Sequence, residues 1–170
     1  MPTEPSRSTM LRRDEVWLRQ LYQDQWAPMV RMATLLTGSA ESAEEMAVEG
    51  LVATHLRREH FEHPDQARAY LRSTVVSRTR AANRHRVVAD RQSASRGRPP
   101  SRDPQDEVLA VLEALPQRQR EVLVLRYFLD LDDQDIAETL RISESAVAAH
   151  AHRGMHAVRA AVDFEGGAHG

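Results

Sequence analysis

Every one of the chain's 23 strongly basic residues is Arg, and they are unevenly spread. Residues 66–102 hold 10 Arg against Asp90 alone, whereas residues 1–65 hold 7 Arg against 11 acids and residues 103–170 hold 6 against 13. Guanidinium groups gathered so densely suit a polyanion, because each offers a rigid fork of donors to phosphate and stays charged at any physiological pH. Arg72, Arg78, Arg80 and Arg84 are the candidates in this stretch for contact with nucleic-acid phosphates. Acidic flanks around a basic centre imply a second partner, a basic protein surface at one end or both. Glu44, Glu45 and Glu49 cluster within ESAEEMAVEG and read as a solvated docking face for it.

Base-reading chemistry belongs further along. In SESAVAAHAHRGMHAVR, Val147, Ala151, Gly154 and Val158 recur at helical spacing, so that stripe turns inward while Ser145, Ala149, His152, Arg153 and His156 turn out. Ser145, Ala149, His152 and Arg153 are the candidates for base edges, and Arg118, Arg120, Arg126 and Arg141 supply electrostatic attraction beside them. His152 and His156 have the i, i+4 spacing of a metal pair. No acid or cysteine ligand stands in register, and the same holds for His55, His60 and His63, so these read as surface histidines and no metal is expected. With no Cys, no glycine-rich phosphate loop and no nucleophile elbow, the chain offers neither disulfides nor thiol catalysis, and neither a catalytic residue nor a cofactor is expected.

The elements that must position these residues follow from caps and periodicity. Asp103-Pro104 starts a helix by the N-cap and N1 rule, and Val108, Leu109, Val111, Leu112 and Leu115 feed its core. Pro116 opens a second helix at N1, carrying Val122, Leu123, Leu125 and Tyr127. Asp132 or Asp133 caps a third, in which Ile136 and Leu140 share a face and Ala137 permits close approach. Arg141-Ile142-Ser143 makes the turn and Ser143 caps the last helix: a helix-turn-helix, built to hold one helix on a surface. Upstream, Leu18, Leu21, Tyr22 and Gln25 share a face, Pro28 is expected to restart the helix with Met29, Met32, Ala33 and Leu36, and Gly38 closes it. A helix capped by Ser39 or Ser42 follows, with Met46, Leu51 and Val52 as its apolar side. After His63-Pro64 comes another, with Ala67, Tyr70, Leu71, Thr74 and Val75 inward and the arginines spread over the remaining surface.

No strand-like alternation or repeat occurs, so the expected fold is all-α, two small helical domains joined by a flexible linker. The expected boundaries are a loose tail over 1–10, a first domain over 11–89, a Ser/Arg/Gly/Pro-containing linker over 90–102, a helix-turn-helix domain over 103–160 and a tail over 161–170. No apolar run is long enough to span a membrane and MPTEPSRSTMLRRD has no apolar core, so no membrane insertion and a cytoplasmic location are expected.

With both halves placed, the chain resembles the extracytoplasmic-function (ECF) sigma factors, promoter-specificity subunits of bacterial RNA polymerase in the sigma-70 family. The likeness covers roughly residues 13 to 160. LYQDQWAPMVRMATLLTGSAESAEEMAVEG is similar to the family's LY…H…LVRLA…LTG…AEDLVQEAF segment, and ARAYLRSTVVSRTRAANRHR to its YLRRTVVNRARSRLRR helix. LPQRQREVLVLRYFLDLDDQDIAETLRIS is close to the family pattern throughout, and SESAVAAHAHRGMHAVR matches S-x-G-T-V-K-S-H-L-S-R-G-L-x-x-L-R. The resemblance implies that the first half is sigma domain 2-like, with Glu44, Glu45 and Glu49 docking on the β′ coiled coil of core RNA polymerase. Arg72, Arg78, Arg80 and Arg84 would then serve the -10 element. The second half would be domain 4-like, reading the -35 element of promoter DNA and touching the β flap, and an anti-sigma factor is implied as a further partner. Val48, Gly50, Leu51, Ser77, Ala148 and Ala151 depart from the family's usual residues, Ala148 by removing a recognition-helix Lys. A stand-alone helix-turn-helix regulator and a degenerate sigma paralogue acting only through protein contacts are the alternative readings.

Overall fold

The computed structural model describes residues 7–92 and 103–167, and among these every regular element is helical. In chain order they are α1 (Arg7–Thr37), α2 (Ala40–Leu56), a short 3₁₀ turn (Arg58–His60), α3 (Pro64–Gln92), α4 (Pro104–Ala114), α5 (Gln117–Tyr127), α6 (Asp133–Leu140) and α7 (Glu144–Gly167).

Local chemistry accounts for most of the ends. Ser39 caps α2 through its hydroxyl on the Ser42 N–H, Asp103 caps α4 on Gln105, and Asp132 caps α6 on Asp135. Ser143 accepts from the Ala146 N–H at 3.1 Å and so opens α7. Gly38 ends α1 at φ 73, a left-handed conformation that glycine takes without steric cost. Pro116 sits one residue earlier than expected, at the N-cap of α5.

Other expectations are corrected. Pro28 does not restart a helix, because α1 runs through it unbroken. Removing one backbone donor and crowding the preceding turn costs about 3 kcal/mol in a helix interior. Here it is offset by packing on both sides of the proline, since Leu21, Met29, Met32, Ala33 and Leu36 are all buried. The tail expected over 1–10 is helical from Arg7, while residues 1–6 lie outside the described residues. Residues 90–92, expected in the linker, are helical, since α3 continues to Gln92; 93–102 lie outside the described residues. Likewise α7 extends to Gly167, past the expected boundary at 160, because Ala161, Val162 and Asp163 contain nothing that stops a helix. Val52 and Val108, expected inward, are exposed.

Both halves contribute to one apolar cluster. Met32, Leu36, Leu71 and Val75 from the first half join Leu112, Leu123, Leu125, Ile136 and Val147 from the second. Within the first half, α2 crosses α3 closely at Gly50, where a Cβ would lie 2.7 Å from Val75 Cγ2 and 3.0 Å from Leu71 Cδ1. Between halves, α1 lies against α4 and α5, and α3 lies against α6. The long basic helix α3 is therefore covered along part of its length by the helix-turn-helix half.

Candidate nucleic-acid interface

α7 stands on α5 and α6 by its small-residue side. Val147 and Ala151 are buried, and Gly154 admits Leu123 of α5, whose Cδ1 comes within 3.0 Å of where a Cβ would stand. This leaves Ser145, Ala149, His152, Arg153 and His156 exposed along one ridge. Arg153 Nη2 lies 3.3 Å from His150 Nδ1. Burial, with the guanidinium groups of Arg153 and Arg118 nearby, draws the His150 pKa below its ordinary 6.5. The turn before α7 is closed by Arg141 in the left-handed region at φ 55, its N–H directed to the carbonyls of Ala137 and Glu138. The Arg141 side chain is exposed at the corner of the motif.

The remaining arginines are placed differently from the expected free surface. Arg80 makes a bidentate pair with Glu121 of α5, Nε to Oε1 at 2.6 Å and Nη2 to Oε2 at 2.9 Å. Glu121 is 1% exposed, and it also accepts from Gln117 Nε2 at 3.0 Å and Arg118 Nη1 at 3.2 Å. One carboxylate thus holds an arginine of each half. Arg72 reaches Thr139 Oγ1 of α6 at 3.4 Å, and burial pulls its pKa below the usual arginine range. Arg120 is a structural tie: it donates to the carbonyls of Leu36 at 3.2 Å, Glu113 at 3.0 Å and Leu115 at 3.1 Å. Burial foremost, then Arg86, lowers its pKa too. Arg78 pairs with Glu49, so two residues assigned to different partners neutralise one another. Arg84 is exposed, as are Glu44 and Glu45 on α2.

Arg78, Arg80 and Arg84 of α3 nevertheless converge with Arg141 of the second half. They line one cleft of about 560 Å³ together with Arg57. Arg57 lies over the Tyr70 ring, 5.2 Å from its centroid, and its Nη1 is 3.4 Å from the phenol oxygen. Sequence reasoning missed Glu121 as the hub of the interface. The available signal was one acid inside the apolar run EVLVL, a position that a helix buries only with a partner. Among the described residues no group of three or more His, Asp or Glu gathers as a metal site, and no helix is long and apolar enough to cross a membrane.

Residues 105–158 match the family described as Sigma-70, region 4. Over 162 aligned residues the chain is 29% identical to the ECF RNA polymerase sigma factor SigL of Mycobacterium tuberculosis, covering 84% of this chain and 86% of that one. Among solved structures, CnrH in complex with the cytosolic domain of CnrY superimposes with a TM-score of 0.70 at 20% identity, covering 86% of this chain and 88% of CnrH. The sigma factor RpoE of Bartonella quintana, in complex with the anti-sigma factor NepR, gives 0.68 at 16% identity, covering 85% of this chain and 98% of RpoE. These two establish the all-helical fold. The region 4 match on the helix-turn-helix and the similarity running through both halves make the chain similar to ECF-type sigma factors of the sigma-70 family.

Proposed function

We propose that this chain directs core RNA polymerase to promoters by reading the -35 element with Ser145, Ala149, His152 and Arg153 of α7. Residues 103–160 then act as the domain 4-like unit, and residues 11–89 as the domain 2-like unit that serves the -10 element. The observation that carries the reading is α7 itself. Its inward side is locked by α5 and α6, its N-terminus is capped by Ser143, and its outward ridge is free of intramolecular cover. A rigid helix so presented has the dimensions and polarity for the major groove.

Exposed Glu44 and Glu45 offer charge to a basic surface of core polymerase, the β′ coiled coil, and the far end of the second half meets the β flap. Arg84 and Arg141 are the arginines placed to take phosphates directly. Arg72 and Arg80, whose partners Thr139 and Glu121 lie in the second half, are released toward phosphate when the two halves separate. An anti-sigma factor that holds the halves together would then oppose promoter binding; RpoE of Bartonella quintana, similar in fold, is in complex with the anti-sigma factor NepR.

Run-off transcription with purified core enzyme and the chain's own upstream promoter tests the proposal. Specific transcripts that need both the chain and core enzyme are the expected result. A promoter band shift by the chain alone, with no effect on transcription, would make it a stand-alone regulator. Core binding without an open complex would make it a paralogue acting through protein contacts.

A further inference from the structure

The cleft between α3 and the corner of the helix-turn-helix holds more positive charge than the protein neutralises. Five arginines line it and no carboxylate does. Arg78 and Arg80 are paired with Glu49 and Glu121, which leaves Arg57, Arg84 and Arg141 without a carboxylate partner among the described residues. Arg57 is oriented by its stacking on Tyr70, and Arg141 is exposed at the cleft. Ser77 adds a hydroxyl at the rim. Three uncompensated guanidinium groups around about 560 Å³ repel one another unless an anion sits between them, and that volume suits a small molecule.

We propose that this cleft is a binding site for a small pyrophosphoryl compound, whose phosphates bridge Arg84 of the first half and Arg141 of the second. Paired phosphoryl groups fit because Arg84 comes to the cleft from α3 and Arg141 from the corner of the helix-turn-helix, and each can take one phosphate through two donors. The ligand binds the two halves only in their present arrangement, so its occupancy holds them together by mass action and competes with any state in which they part. This inference rests on the cleft alone and stands whether or not α7 reads promoter DNA.

Calorimetric titration of the full chain with inorganic pyrophosphate, ADP and, as a control, inorganic phosphate at matched ionic strength provides the test. Pyrophosphate and ADP are expected to bind one to one, at least tenfold tighter than phosphate, and to raise the thermal unfolding midpoint. ADP binding tenfold tighter than pyrophosphate would assign the site to a nucleotide, and equal affinities to the inorganic anion. Arg84→Gln and Arg141→Gln should each weaken binding about tenfold, since both halves contribute an arginine. Ser77→Glu, at an exposed position where folding is not at risk, should abolish binding by placing a carboxylate among the arginines. Circular dichroism confirms that each variant is folded. Affinity for pyrophosphate no greater than for phosphate, loss confined to one of the two arginine variants, or full binding by Ser77→Glu would each overturn the proposal.

Discussion

Replacing Glu121 by Gln changes one atom in size and nearly everything in charge at the junction of the two halves. The carboxylate is 1% exposed and takes four hydrogen bonds, two from Arg80 and one each from Arg118 and Gln117. A Gln side chain keeps one acceptor but turns an NH₂ toward guanidinium donors, leaving two cations close together with no anion between them. Removing one partner of a fully buried pair costs about 3–5 kcal/mol. The Arg80 side chain is 22% exposed and that of Arg118 39%, so water screens part of the loss, and about 2–3 kcal/mol is the expected cost. For a domain of this size each kcal/mol lowers the unfolding midpoint by about 2–4 °C, which gives a fall of roughly 4–12 °C. Differential scanning calorimetry measures it, and small-angle scattering reports whether the halves separate below the transition. A double-mutant cycle with Arg80→Gln isolates the pair and should return a coupling of about 1–3 kcal/mol. A midpoint lowered by less than about 2 °C with an unchanged radius of gyration would refute the reading of Glu121 as the hub that joins the two halves.

Gly50→Ala should cost about 1–3 kcal/mol in chemical denaturation, because its Cβ would stand 2.7 Å from the branched and stiff Val75 side chain; a neutral result would show that α2 and α3 can spread freely. If Glu44 and Glu45 form the proposed docking face, reversing both to Arg should weaken co-purification with core polymerase while leaving helical content unchanged, since both are exposed. In a substitution scan of the -35 region, Arg153→Ala should cost about 1–3 kcal/mol concentrated at one or two positions, whereas Ala148→Lys should strengthen all sequences alike by adding a phosphate-reaching cation. His150 titrates below its unfolded value, so the unfolded chain takes up the proton first: its contribution to stability is complete above about pH 6.5 and is lost as pH falls beneath that. His150→Asn should flatten that part of the pH–stability curve, and an unchanged slope would assign the acid sensitivity elsewhere.

Features that depend on a few neighbouring residues were legible without coordinates. Ser39, Asp103, Asp132 and Ser143 cap helices because a short oxygen-bearing side chain meets a free backbone N–H two or three residues on, and Gly38 ends a helix because its own backbone tolerates positive φ. The inward stripe of α7 was equally plain, since 3.6-residue periodicity places Val147, Ala151 and Gly154 on one side whatever they meet there. Pro28 was misread because its cost is local while the compensation comes from Met29, Met32 and Leu36 packing against helices far along the chain. The fate of the arginines was decided by tertiary structure alone. Arg80 and Glu121 are 41 residues apart, as Arg72 and Thr139 are 67, and charge does not say whether a guanidinium will find phosphate or carboxylate. Local sequence sets which side chains a helix presents on each face; which counter-ion each arginine meets depends on how the two halves come together in space.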